Sequence, residues 1–199
     1  MDLSFKVHSS NLKDLISIYN DSIKIRESKE KEFIEEYLEN RKDDTFKNLS
    51  LYKNNFNWIL LHSLFISSFS YFENFMRSAA KFAEKENNSK IKISDINGKN
   101  NIDKYRKYLN LICKIENAEN QSNNWIKLMG FNSVRNCIIH EYGIVKKPIK
   151  IMSEYNIYFG PSCNMIRMRN IDFLVDFVEI AINYMDKINE EYKTKTSQN

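Results

Sequence analysis

Glycine and proline are scarce in this 199-residue chain, with four of the first and two of the second. Sandwiches and barrels need many turns, and turns draw on both residues, so the scarcity points to long helices. Cysteine is also scarce. Cys113, Cys137 and Cys163 are odd in number, widely spaced and lack a C-x-x-C pair, which argues against a disulfide framework and a zinc site. Long apolar runs are missing. The longest, Trp58 to Ile66, contains His62 and Ser63 and is too short to span a bilayer. The opening M-D-L-S-F-K has no apolar core of signal-peptide length. The expectation is a reduced, cytoplasmic, soluble protein without membrane association.

Aromatic residues are plentiful, with thirteen Phe and eleven Tyr. That excludes a disordered chain, and the length suits one domain over 1–199 with a sizeable core. The formal net charge of +4 is mildly basic. It is compatible with a nucleic-acid partner without diagnosing one.

Hydrophobic periodicity places five helices. The first runs from Asn11, a candidate N-cap, to about Asn40. Its charged run R-E-S-K-E-K-E reads as a solvated face. A polar loop is expected over 43–55. The strongest signal is 56–86, where Trp58, Leu61, Phe65, Phe69, Phe72, Met76, Ala79 and Phe82 recur at three and four residues. Such a stripe is core. His62 reads as a packed or surface histidine, since no second His lies four residues away. Residues 87–101 form a loop, with K-I-K-I-S-D-I as a short extended piece. A third helix spans 102–116 and a fourth 124–142, with Gly143 as its natural C′ residue. Residues 148–168 change period and suggest a small antiparallel hairpin or three short strands around Gly160-Pro161-Ser162. Asn170 is expected to cap a last helix to about Tyr192, followed by a frayed tail. The fold class is therefore all-α, about five helices with a small β-hairpin before the last.

One stretch needs a chemical explanation. V-R-N-C-I-I-H-E-Y-G, Val134 to Gly143, puts Arg135, Asn136, His140 and Tyr142 within eight residues at the end of an apolar helix. Asn136 and His140 are four apart and share a face. Arg135 and His140 are five apart, about 140° around the axis at roughly 100° per residue. They can flank one groove but cannot touch as an i,i+4 pair. A second copy packed about a two-fold axis would complete the site. The residue types suit phosphodiester cleavage. Imidazole titrates near neutrality and can take a proton from a 2′-hydroxyl or give one to a leaving 5′-oxygen. A guanidinium can hold two phosphate oxygens and stabilise charge at phosphorus. With the 2′-hydroxyl as internal nucleophile, neither metal nor other cofactor is needed. Asn136 could orient the histidine or a phosphate oxygen. Tyr142 could do the same or stack on a base. Lys146, Lys147, Lys150 and Arg167 follow in sequence, and either track a phosphate backbone or are ordinary surface charges.

R-x4-H alone is common by chance. The fuller string R-N-x3-H-x-Y, closing a helix in an all-helical chain, resembles the HEPN superfamily of small helical domains. The helix carrying S-Y-F-E-N-F-M-R resembles that family's long second helix with its internal acid, here Glu73. Glu73 is read either as a carboxylate exposed or paired to Arg77, or as a buried acid orienting a site residue. The order of elements over about 55–192 is similar too. The resemblance implies an up-and-down bundle and a homodimer whose two motifs form one metal-independent endoribonuclease site. Arg135 and His140 are its catalytic residues, supported by Asn136, Tyr142 and Glu73. It implies toxin–antitoxin, abortive-infection or other antiphage work on RNA such as tRNA or mRNA, with an antitoxin protein as a further candidate partner. Other family members are catalytically silent and bind RNA or protein. The bland alternative is that Arg135 pairs with a carboxylate such as Glu141 while His140 merely caps a helix.

Overall fold

The computed structural model describes residues 1–41, 43–87, 89–155, 158–159 and 164–197. Four long helices dominate: α1 (Asp2–Asn40), α3 (Phe56–Glu86), α5 (Asn123–His140) and α6 (Asp172–Thr196). Two short ones, α2 (Asp43–Ser50) and α4 (Asn101–Lys107), lie between them in sequence. Strands β1 (Tyr158–Phe159) and β2 (Ile166–Arg167) pair antiparallel, Tyr158 opposite Arg167 and Phe159 opposite Ile166. The protein is all-α with one small hairpin before the last helix. Among the described residues no helix is long and apolar enough to cross a membrane.

The chain divides into two compact units. The first comprises Met1–Lys13, Ser68–Ser133 and Asp176–Asn199. Its core is aromatic. Phe177 of α6 stacks on Phe69 of α3 at 5.4 Å and meets Phe131 of α5 edge-on at 5.3 Å. Tyr184, about two helical turns further on, receives Phe72 and Trp125. The spacing 69, 72, 76, 79, 83 keeps one face of α3 inward, and all five of those residues are buried. Each fully buried Phe or Met contributes about 2 kcal/mol. A buried ion pair sits in the same unit, where Arg106 donates to the Asp103 carboxylate at 2.9 Å and to the Ala118 carbonyl at 3.0 Å.

The second unit comprises Asp14–Ser67 and Val134–Val175. Here Phe173 packs edge-on against Phe65 and Tyr155. The Tyr19 hydroxyl donates to Asn57, and the Asn57 amide donates in turn to the Arg169 carbonyl. That chain of bonds ties α1, α3 and the segment after β2 together.

Several boundaries differ from expectation. α1 starts at Asp2, so Asn11 lies inside it and caps nothing. Residues 43–55 are no loop. They form α2 and a wide π-helical turn (Leu51–Asn55), because Phe46 packs on Tyr37, and Tyr52 packs on Phe33 and Phe56. Three aromatic contacts outweigh the polar composition. K-I-K-I-S-D-I is not extended: Ile93–Asp95 is a 3-10 turn. The third helix stops early, α4 passing into a π-helical turn over Tyr108–Ile112. Ile149 to Ser153 includes no strand, since Lys150–Glu154 is a 3-10 turn. The Gly160-Pro161-Ser162 turn lies outside the described residues. Asn170 does not cap α6. The carbonyl of Ile171 accepts the first helical bonds, from Leu174 and Val175, while the Asn170 amide donates to Asp172. α6 persists through Thr196 rather than fraying after Tyr192.

Candidate functional site

The last two turns of α5 carry the motif. Val134 and Cys137 are buried and anchor the helix, which leaves Arg135 and Asn136 half-buried and His140 exposed. The Arg135 guanidinium donates to the Asn136 side-chain oxygen at 3.0 Å. Asn136 thus fixes the arginine, a role its four-residue spacing to His140 does not suggest.

The helix ends by an unusual device. The Cys137 carbonyl accepts two N–H groups, from Glu141 at 3.1 Å and from Gly143 at 2.9 Å. Two consecutive left-handed positions accompany this six-residue reach: Tyr142 at φ +55°, which turns the Gly143 N–H back, and Gly143 itself at φ +75°. The sequence pattern puts Gly143 at C′, the first position beyond the helix cap. In the fold it is the second left-handed residue, and Tyr142 takes the first. Glycine adopts this region freely, whereas an aromatic residue does so at a cost. The Tyr142 ring gains nothing from burial in return, being 82% exposed.

The segment after the cap is held by the hairpin. Ile166 donates to the Gly143 carbonyl at 2.8 Å, Val145 donates to the Asn164 carbonyl at 3.1 Å, and Ile144 bridges Met165. The motif is therefore bolted to β2 through main-chain bonds, which no side-chain pattern announces.

The expected phosphate-binding cations part company. Lys146 and Lys147 line a cleft of about 350 Å³ with Val145, Pro148 and Asn164, and Lys146 is ion-paired to Glu141. Lys150 is exposed at the start of its 3-10 turn. Arg167 lines a different, larger cleft with Arg26, Lys53, Trp58 and Arg169. Its guanidinium carbon lies 5.4 Å from the Trp58 ring centroid. Arg26, Lys53 and Trp58 lie more than a hundred residues before Arg167, so sequence spacing does not connect them. Periodicity alone puts Trp58 in the core stripe, whereas the fold gives it to this cleft.

Comparison with protein-family models, with curated proteins and with solved structures returns no match.

Glu73 lies in the first unit, whereas Arg135 to Tyr142 belong to the second. It is half-buried, and Arg77, its expected i,i+4 partner, donates instead to Asn74 at 2.7 Å. His62 is buried, edge-on to Trp58 at 5.3 Å. Burial pushes its pKa down to about 4, so it is neutral and packed in the fold. Among the described residues no group of three His, Cys, Asp or Glu side chains could hold a metal ion. Cys113 and Cys137 are free thiols, and Cys163 lies outside the described residues.

Proposed function

We propose that this chain is a HEPN-type endoribonuclease that cleaves RNA without a metal, at a composite site in a homodimer. The observation that carries the reading is the helix end itself. It presents an exposed His140, an arginine held by its neighbouring amide and an exposed, strained tyrosine. Burial of Val134 and Cys137 orients these residues, and main-chain bonds to β2 hold the segment from Gly143 onward.

His140 takes the proton from a 2′-hydroxyl, which attacks the adjacent phosphorus. The P–O5′ bond breaks, leaving a 2′,3′-cyclic phosphate and a 5′-hydroxyl. A protonated His140 of the second copy supplies the leaving oxygen's proton. Arg135 neutralises charge on the phosphoryl oxygens. Five residues of helix keep Arg135 and His140 of one chain too far around the axis to grip one phosphate together. A twin motif supplies the missing half. The biological setting that fits is a toxin or antiphage effector restrained by a partner protein.

A second reading is favoured by that same separation: a silent HEPN dimer that binds RNA or protein. Incubation of the purified protein with single-stranded RNA in EDTA separates the two. Cleavage with 2′,3′-cyclic phosphate ends is expected. His140→Ala and Arg135→Ala should each lower the rate by about 10²-fold or more. Intact RNA under these conditions, or cleavage that both variants retain, refutes the enzyme reading.

A further inference from the structure

The larger cleft lies in the second unit and is about 530 Å³ in volume. Arg26 comes from α1, Lys53 from the π-helical turn, and Arg167 and Arg169 from β2 and its continuation. Four cations from three separate stretches of chain thus face one space. No acidic side chain lines it among the described residues. Glu27 and Glu30 reach Arg26 at 3.5 and 3.3 Å and hold it in place, which leaves the balance of the cleft positive.

Two of these guanidinium groups, those of Arg26 and Arg167, each keep one donor without an acceptor among the described residues. The Nε–H groups of Arg26 and Arg167 are buried and have no hydrogen-bond partner among the described residues. A buried donor left without an acceptor is rare and needs a reason. An anion in the cleft would bring charge opposite to that of the cations lining it.

The walls are built before any ligand arrives. Asn57 uses its carbonyl oxygen on Tyr19 and its amide on Arg169, fixing α3 against α1 and the strand segment. The Trp58 indole N–H donates to Asn55 at 3.3 Å, which orients the ring. The wide turn that carries Lys53 and Asn54 is of a kind that recurs at functional sites. An indole beside an arginine in a cationic groove is the arrangement that takes a base on its flat face and a phosphate on its charges. The volume suits a ligand of nucleotide size.

We propose that this cleft binds the phosphate groups of a nucleotide, presented by a free nucleoside polyphosphate or by a single-stranded RNA segment. Neither Arg135 nor His140 lines it. The site stands whether or not the chain cleaves RNA. Its connection to the motif is short: Ile166, which bonds the Gly143 carbonyl, immediately precedes Arg167.

Calorimetric titration of the full chain tests this with two probes, ATP and a 2′-O-methyl oligoribonucleotide that offers no 2′-hydroxyl for cleavage. At least one is expected to bind. Lys53→Gln and Arg167→Gln should each weaken it about tenfold, while Lys127→Gln, an exposed lysine of the first unit, leaves it unchanged. Binding of ATP alone identifies a small-ligand site. Binding of the oligonucleotide alone identifies a backbone site, and its salt slope should fall by about 0.7 per cation removed. Lys53 is exposed, so its variant remains informative if Arg167→Gln misfolds. Failure of both probes to bind, or equal affinity in wild type and Lys53→Gln, overturns the proposal.

Discussion

Adjacent left-handed residues at the end of α5 make a sign test. Tyr142 sits at φ +55° and Gly143 at φ +75°. Holding an L-residue there costs about 1–2 kcal/mol relative to the right-handed region. Replacing Tyr142 by glycine removes that cost. It also gives the unfolded chain extra freedom, which offsets about 0.4–1 kcal/mol. The ring is 82% exposed, so little burial is lost. The net is a gain of about 0.5–1 kcal/mol. Gly143→Ala runs the other way. Its new Cβ would meet the Met165 side chain at 3.7 Å and the Ile166 nitrogen at 3.9 Å, ordinary contacts. The cost is therefore conformational alone, a loss of about 0.5–1 kcal/mol. For a chain of this size the two should shift Tm by roughly 1–4 °C in opposite directions. Thermal and urea denaturation read both, with Tyr142→Ala as the control that keeps the strain and should be near neutral. Strain retained at an exposed aromatic suggests that the ring is used. Tyr142→Gly should therefore be more stable and weaker in RNA cleavage or binding. A destabilised Tyr142→Gly, or an unaffected Gly143→Ala, refutes the account of the cap. A stabilised Tyr142→Gly with unchanged RNA activity refutes the link between strain and function.

His62 gives a pH signature. Its folded pKa of about 4 lies below the ordinary histidine value of 6.5, so its contribution is full above pH 6.5 and is lost as pH falls toward 4. Between about pH 7.5 and 5 that loss is about 2 kcal/mol, and His62→Phe should remove that much of the slope in urea midpoints. An unchanged slope would show that His62 is not buried neutral. Asp103 behaves with the opposite charge. Burial opposes its ionisation, but the Lys99 N–H and the Arg106 guanidinium outweigh this and hold its carboxyl below the usual range. Its contribution is present above pH 3.8 and is lost as pH falls through the lowered value. Asp103→Ala strands a buried guanidinium and should cost about 3–5 kcal/mol at neutral pH. A cost under about 1 kcal/mol would mean that Arg106 finds another acceptor.

Element type was legible wherever one face of a helix dominates its surroundings. The bounds of α3 agree with its periodicity to the residue, because a run of large apolar side chains at three- and four-residue spacing leaves the chain one way to bury them. Phe46 and Tyr52 show the limit. Two aromatics in a polar stretch carry little periodicity, yet their packing on Tyr37, Phe33 and Phe56 makes a helix and a wide turn of it.

The motif divides the same way. Its residue types, its spacing and its place at a helix end follow from local sequence, since side-chain angle around a helix depends only on separation along it. Local sequence could not disclose that Asn136 holds Arg135, or that Tyr142 rather than Gly143 is the first residue forced left-handed. Nor could it bring Arg26, Lys53, Trp58 and Arg167 to one cleft. Those facts depend on which distant stretches pack together. That choice is made by burial of the whole core and by main-chain bonds between segments, neither of which leaves a mark on the residues that end up side by side.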